Sequence, residues 1–342
     1  LSKLNLAFFL LTLNLQAKAE GDFEFQPMKV YRSLAEYEAG PHTVATIGTF
    51  DGVHIGHRVI LNRIREAARE IGGESVLISF HPHPRLVLFP ENNPLRLLQT
   101  LEEKIETLQK IGLDKLLLIP FTKEFSRTSS KAFIRDILVD TVKIEKIVIG
   151  YDHHFGKNRT GGIEELRKYA PLYGYSVEEI PPQAIDDANV SSTKIRRALL
   201  EGDIDTANRY LGYAYPLSGE VIEGEKLGRQ LGYPTANLRP LDPHKLIPAD
   251  GVYFVRVVLD NFRGFGMMSI GSKPTLGAHQ RAYEVHIFDF DADIYGKIVK
   301  VAFLKWVRPQ QKFESLEALI RAIDQDKQTC MQFLAAQNSN SH

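Results

Sequence analysis

Cysteine is almost missing, with Cys330 the only one in the chain. A lone thiol excludes an intramolecular disulfide and a multi-cysteine zinc cluster, and it fits a reducing compartment, so a cytoplasmic protein is expected and Cys330 itself is read as inert. An excess of either charge is missing too. Lysine plus arginine and aspartate plus glutamate each number 42, for a formal charge of zero, so no broad basic field can hold a nucleic-acid backbone, although local phosphate sites are still allowed. Internal repeats and low-complexity tracts are absent. The apolar run Leu4–Leu15 is too short to cross a bilayer comfortably, so no membrane partner is expected. It follows Lys3 and precedes Ala17-Lys18-Ala19, in the manner of a signal peptide. Such a segment is either an export signal or the product of translation begun upstream of the true start. The chain opens on leucine and its first methionine is Met28, which favours the second reading, with Met28-Lys29-Val30-Tyr31 as the native beginning and residues 1–27 dispensable.

What is present suffices for two domains. At 342 residues and 44% apolar content, each half can bury a core of its own. From Thr43 to about Ile180, short β-branched runs alternate with amphipathic stretches, the pattern of a parallel sheet covered by helices. Strands are predicted at Thr43–Ile47, Ser75–Phe80, Lys115–Pro120, Lys146–Gly150 and Ser176–Ile180, and helices at Arg58–Ile71, Leu101–Ile111 and Ser130–Asp140. This is a doubly wound α/β domain, which binds ligands at the carboxyl ends of its strands. Thr193–Leu200 and Ile204–Tyr210 read as further helices, and Tyr213-Ala214-Tyr215-Pro216 as a junction. Beyond it, glycine turns and alternating segments such as Gly251–Leu259 and Ala282–Phe288 predict an all-β antiparallel barrel, with a C-terminal helix over Phe313–Phe333 packed against it. The expected domains are 28–212 and 213–338.

The loop after the first predicted strand reads Gly48-Thr49-Phe50-Asp51-Gly52-Val53-His54-Ile55-Gly56-His57 and runs into a helix. Glycines let backbone approach a phosphate, a helix N-terminus attracts anions, and two imidazoles three residues apart can both donate to phosphate oxygens. That suits nucleotidyl transfer, where charge gathers on the α-phosphate and the departing pyrophosphate. His-x-Gly-His alone is a weak signal, and a pair of turn histidines without a role explains it equally well. Val190-Ser191-Ser192-Thr193-Lys194-Ile195-Arg196-Arg197 adds hydroxyls and cations at another helix start. Taken alone this is an N-capped helix with a basic face. Coupled to the histidine loop, it is a second phosphate clamp.

These segments, with Phe80-His81-Pro82-His83-Pro84 and Gly150-Tyr151-Asp152-His153-His154-Phe155-Gly156-Lys157-Asn158-Arg159, resemble the bacterial FMN adenylyltransferase module of the superfamily that also holds class I aminoacyl-tRNA synthetases. The resemblance implies that His54 and His57 stabilise the triphosphate at transfer, and that Ser192, Thr193 and Arg196 hold its phosphates. Gly48, Phe50, Asp51, Gly56 and Ser191 would complete the nucleotide site, and Asp152, Phe155 and Arg159 would shape the FMN side. Lys194 stands where the family often has arginine, and Val190 where it has isoleucine. The His81/His83 doublet is read as loop packing rather than a metal site, because a proline intervenes and carboxylates are lacking nearby.

In the second half, Gly224-Glu225-Lys226-Leu227-Gly228-Arg229-Gln230-Leu231-Gly232 leads into Tyr233-Pro234-Thr235-Ala236-Asn237. Glycines at four-residue spacing can wrap a polyphosphate, while a hydroxyl and an amide oxygen are hard ligands suited to Mg²⁺. A glycine-rich loop by itself is ordinary in a barrel. The tetrad Pro-Thr-Ala-Asn resembles the riboflavin kinase family, as do Gly251-Val252-Tyr253, Ile270-Gly271-Ser272-Lys273-Pro274-Thr275, Glu284–Phe290 and Arg308-Pro309. Ser269 departs from the asparagine often found before Ile270. The resemblance implies Gly224, Gly228 and Gly232 around the nucleotide, Thr235 and Asn237 on Mg²⁺, and Glu284 as the base that takes the riboflavin hydroxyl proton. Without it, Glu284 would read as a carboxylate on an exposed strand face.

The whole chain is thus similar to the bacterial bifunctional riboflavin kinase/FMN adenylyltransferase family, which implies ATP as co-substrate and riboflavin, FMN and FAD as substrates and products. Its oligomeric state stays open, a homo-oligomer included. A monofunctional nucleotidyltransferase or a synthetase-like tRNA enzyme leaves the second half unexplained and needs a basic surface. A secreted flavin-binding protein rests on residues 1–27 alone.

Overall fold

The computed structural model describes residues 27–90, 95–151, 154–157, 160–181, 190–224, 228, 231–272 and 281–339. The first half is built on a six-stranded parallel sheet: β1 (Lys29–Tyr31), β2 (Thr43–Ile47), β3 (Ser75–His81), β4 (Lys115–Pro120), β5 (Ile144–Gly150) and β6 (Ser176–Ile180), in the order β1-β4-β3-β2-β5-β6. Five of these strands are the predicted ones, within two residues. The three-residue β1, which pairs Lys29–Tyr31 with Lys115–Leu117, is too short to carry a periodic signal. β2 alternates between faces: Ala45 and Ile47 enter one buried cluster and Val44 the other. A sheet covered on both sides needs that pattern.

The covering helices are α1 (Ile55–Glu70), α2 (Pro84–Leu88), α3 (Leu101–Ile111), α4 (Ser130–Ala132, continuing as a wider π turn over Phe133–Thr141) and α5 (Ile163–Tyr173). The start of α3 is locally over-determined. Thr100 Oγ1 accepts from the Glu103 amide at 3.2 Å while Glu103 Oε2 accepts from the Thr100 amide at 3.0 Å, a capping box. Gly112, at φ 81°, ends the helix. Strand order reverses between β2 and β5, so the loops leaving those two strands flank the crevice where such sheets bind ligands.

After α6 (Ser192–Leu200) and α7 (Ile204–Leu211), the chain forms a closed antiparallel barrel of β7 (Tyr215–Ile222), β8 (Ala236–Pro240), β9 (Gly251–Leu259), β10 (Phe262–Ser272), β11 (Arg281–Ile287) and β12 (Ile298–Pro309), ordered β10-β11-β8-β7-β12-β9. Helix α8 (Leu316–Ser339) packs on its outside, where buried Cys330 meets Val252, Phe254 and Met267. Burial pushes the Cys330 thiol up to about 12. Arg308 of β12 pins the helix through both oxygens of Asp326, each at 2.8 Å.

Packing does not divide where the sequence suggests a junction. Ile195, Leu199 and Leu211 of α6 and α7 share one buried cluster with Tyr215, Val257 and Phe303 of the barrel. Each such side chain contributes on the order of 2 kcal/mol by burial. Helices α6 and α7 therefore form part of the barrel's core.

Candidate functional sites

The loop between β2 and α1 is held in a conformation that its residue types resist. Gly52 sits at φ 88°, but Phe50 (46°) and Val53 (36°) also lie in the left-handed region, where a β-branched residue is rare and strained. Contacts on every side keep it there. Asp51 is 4% exposed and accepts from the Leu98 amide at 3.0 Å and the Gln99 amide at 3.4 Å. Its carboxylate also pairs with Arg196, and its carbonyl accepts from the Ser192 hydroxyl at 3.0 Å. Lys104, buried in α3, donates to the Thr49 carbonyl at 2.8 Å, and the Tyr213 hydroxyl donates to the Gly52 carbonyl at 2.5 Å.

The two histidines stack with ring centroids 3.6 Å apart. His54 caps α1, its Nδ1 accepting the His57 amide at 3.3 Å. An accepting Nδ1 places the neutral ring's proton on Nε2, which is then a donor. Burial lowers His54 to about 4, and burial with the neighbouring His54 and Lys104 charges takes His57 well below the ordinary histidine value. At neutral pH both rings are therefore uncharged and act as oriented dipoles rather than cations. His57 Nδ1 is buried with no hydrogen-bond partner among the described residues.

The structure brings the Ser191 segment against this loop. Ser191 caps α6 by accepting the Lys194 amide at 3.3 Å, and Thr193 is exposed at the helix start. Arg196 is engaged on the protein side, with Nε on the Arg96 carbonyl at 2.8 Å and Nη2 on Asp51. Gly56 is buried in the first turn of α1, and at Gly48 a Cβ would meet the Phe50 ring at 2.6 Å. His83 caps α2 and lies within electrostatic reach of Asp51, Lys104 and Arg196, its value lowered to about 4 mainly by burial. Among the described residues no three His, Cys, Asp or Glu side chains converge in a metal-binding group.

On the other side of the crevice, Phe155 is 5% exposed and packs on Phe133 at 5.5 Å, inside the sheet's core. Asp152 and Arg159 lie outside the described residues. Sequence reasoning missed the row beside Phe155: Phe80 at the end of β3 meets Phe121, 5.7 Å away just past β4, and Phe125 at 6.0 Å. All three are half-buried. Aromatics gathered at three consecutive strand ends were the available signal.

In the barrel, the register does the assembling. Glu284 of β11 stands directly opposite Asn237 of β8. A Cβ at Gly224 would fall 2.1 Å from Asn237 Nδ2, and one at Gly228 would fall 2.4 Å from the Tyr233 carbonyl and 3.1 Å from Thr235 Oγ1. Both glycines are needed for close approach. The glycine loop, Thr235, Asn237 and Glu284 thus meet at one place, although residues 225–227 and 229–230 lie outside the described set. Behind them His286 Nδ1 contacts the Pro234 carbonyl at 2.8 Å, which holds the Pro-Thr-Ala-Asn turn against β11.

Comparison with known proteins decides the family. Residues 37–194 match the FAD synthetase family and residues 211–334 the riboflavin kinase family. A bifunctional riboflavin kinase/FMN adenylyltransferase from Listeria monocytogenes is 37% identical over 85% of this chain and 92% of its own length. The chain belongs to that bifunctional family. The Pseudomonas fluorescens member is 40% identical over 83% of this chain and 90% of its own length. Among solved structures, one named as a macrolide-efflux protein from Streptococcus pneumoniae superposes with a TM-score of 0.80 at 31% identity, covering 90% of this chain and 99% of that one. In the described residues of this family member, no helix is long and apolar enough to cross a membrane. The resemblance read from the motifs, and the order of an α/β domain before a barrel, are both borne out.

Proposed function

We propose that this chain phosphorylates riboflavin at the barrel site and adenylates the resulting FMN at the sheet site, using ATP in both steps. The observation that supports it is the coexistence in one chain of a FAD synthetase match and a riboflavin kinase match, each with a glycine-containing loop beside polar side chains suited to phosphate. Residues 28–212 and 213–338 are taken as the two functional units, with α6 and α7 packed across the boundary.

At the sheet site, an FMN phosphate oxygen attacks the α-phosphorus of ATP and the bond to pyrophosphate breaks. Nε2–H of His54 and the ring of His57, neutral and fixed by stacking, aim dipoles at the charge that develops. Preorganised donors of this kind cost no reorientation at the moment of transfer. Gly48, Phe50, Gly56, Ser191 and Thr193 line the approach to the phosphates, while Asp51 and Arg196 set the loop and the clamp against each other. The half-buried rings of Phe80, Phe121 and Phe125, packed edge to face, offer an apolar wall for an isoalloxazine near Phe155.

At the barrel site, the terminal hydroxyl of riboflavin attacks the γ-phosphorus, ADP leaves, and Glu284 receives the hydroxyl proton. Thr235 Oγ1 and the Asn237 amide oxygen are hard donors beside the close-approach glycines, a set that fits Mg²⁺, and the ion would neutralise the phosphate oxygens. Gly224, Gly228 and Gly232 let backbone amides reach the polyphosphate. The lone cysteine and the balanced charge support a cytoplasmic setting with small-molecule partners.

Product analysis tests the reading. Pure protein with riboflavin, Mg²⁺ and ATP is expected to yield FMN and then FAD with pyrophosphate, and a mixture in which neither flavin product forms would reject it.

A further inference from the structure

A buried ion pair joins the two halves directly behind the histidine loop. Lys245 lies between β8 and β9, in the half that matches the riboflavin kinase family, yet its ammonium is buried against the other half. It donates to the Leu98 carbonyl at 2.7 Å and to Glu103 Oε2 at 2.6 Å, 4.2 Å from the centre of the Tyr215 ring. The backbones beside it are stitched together, the Leu97 amide donating to the His244 carbonyl at 2.7 Å and the Leu246 amide to the Leu97 carbonyl at 2.8 Å. The next two amides, Leu98 and Gln99, are the donors that hold Asp51. Asp51 in turn carries Arg196 and, through its carbonyl, the Ser192 hydroxyl.

We propose that Lys245 is a positioning residue for adenylyl transfer, supplied by the kinase half: it fixes Leu97–Gln99, and through Asp51 sets where the phosphate loop and Arg196 stand. The inference rests on assigning the Gly48–His57 loop to that reaction. The links from Lys245 to Asp51 are buried and those from Asp51 to Arg196 and Ser192 are part-buried, so displacement of one end is passed along with little absorbed by solvent. Glu103 anchors the path from the far side, because the same carboxylate caps α3 and accepts from the Ser218 hydroxyl at 3.3 Å. Thr235, Asn237 and Glu284 are not links in it. Loss of the ammonium therefore falls on one reaction of two carried by the same polypeptide.

The test uses the full chain with Lys245→Met, which keeps the apolar stem, and with Lys245→Met/Glu103→Gln, which removes both charges while a glutamine preserves the capping box. Both are assayed over an ATP series at saturating flavin, well below the melting transition. Turnover of FMN to FAD is expected to fall about tenfold or more, with a changed KM for ATP, while riboflavin phosphorylation stays within about twofold, since small misplacements at a reacting centre have effects of that order. Lys245→Arg should recover part of the lost turnover. A merely structural lysine would lower the melting point and leave kcat and KM of the folded fraction unchanged, and that result overturns the proposal. Equal loss of both activities overturns it as well. Should the single variant fail to fold, the double variant decides by the same criteria. His57→Ala run in parallel separates the layers: a collapsed adenylylation there, with both Lys245 variants unaffected, sinks this inference alone, whereas intact adenylylation in His57→Ala sinks the site assignment together with it.

Discussion

The two proposed phosphate loops are both rich in glycine, and they differ in what stands behind the backbone. In the sheet domain the loop is backed by buried, interlocked polar groups: Asp51 on two amides and an arginine, Lys104 on Thr49, a histidine pair stacked out of water. In the barrel the corresponding residues sit on strands whose register places Glu284 opposite Asn237, half-buried and open. One site is preorganised by non-local side chains and the other by hydrogen-bonded ladder geometry. The first should therefore be sensitive to substitutions far from the ligand. The second should respond chiefly to the residues in the site itself.

Glu284→Gln sharpens that contrast most. Loss of a general base costs about 10²–10⁴-fold, so riboflavin phosphorylation should drop by that factor while supplied FMN still becomes FAD. A rate of phosphorylation within twofold of the parent, by quantified FMN release, would remove Glu284 from the chemistry. His57→Ala is the mirror image and should be somewhat milder, since one preorganised donor contributes about 10²–10³-fold. Phosphorylation should persist and FAD formation should nearly stop, as measured by chromatography of the flavins.

Two glycines make a matched pair for stability. Gly52 and Gly232 both lie at left-handed φ, 88° and 82°, but a Cβ at Gly52 would stand 2.8 Å from Leu98 Cδ1 whereas at Gly232 nothing lies within 4 Å. Gly232→Ala should cost about 1–2 kcal/mol from the backbone alone. Gly52→Ala should cost more and selectively depress adenylylation. Equal melting points for the two variants would show that the crowding at Leu98 relaxes freely.

The smallest effect is the pH dependence of stability. His54 and His83 are lowered from 6.5 to about 4 in the folded protein, and His57 is lowered as well. Above 6.5 these groups are neutral in both states and contribute nothing to the slope. As pH falls from 6.5 toward 4 the unfolded chain binds protons that the folded chain does not, so stability declines across that window. Carboxylates such as Glu178, held below its ordinary 4.5 chiefly by Arg63, add to the decline only at lower pH. Urea midpoints between pH 7 and pH 5 should fall, and should fall less in His54→Asn.

The sheet, the barrel, their order and both motif loops were legible in the sequence because each is local: periodicity within a strand, glycine spacing within a loop, a hydroxyl at a helix start. What was not legible is non-local. Nothing in the sequence marks Lys104 or Lys245 as buried, since a lysine's burial depends on a partner elsewhere, and Glu103 is 142 residues from Lys245. The left-handed Val53 was invisible for a related reason, as its intrinsic preference opposes the conformation that Asp51 and Tyr213 impose. The aromatic row of Phe80, Phe121 and Phe125 appears only once β3 and β4 are aligned. The division at residue 213 followed the change from helical to alternating pattern after Tyr213–Pro216, whereas the packing of α6 and α7 follows the barrel.

That shared packing has a consequence for synthesis. A chain made from its N-terminus exposes the histidine loop and α6 early, but Leu199 and Leu211 find their buried neighbours Val257 and Phe303 only after most of the barrel has left the ribosome. Lys245 likewise arrives long after Glu103. The domain that emerges first is thus the one completed last, and a nascent chain halted before β12 carries the adenylyltransferase motifs with the apolar sides of α6 and α7 still uncovered.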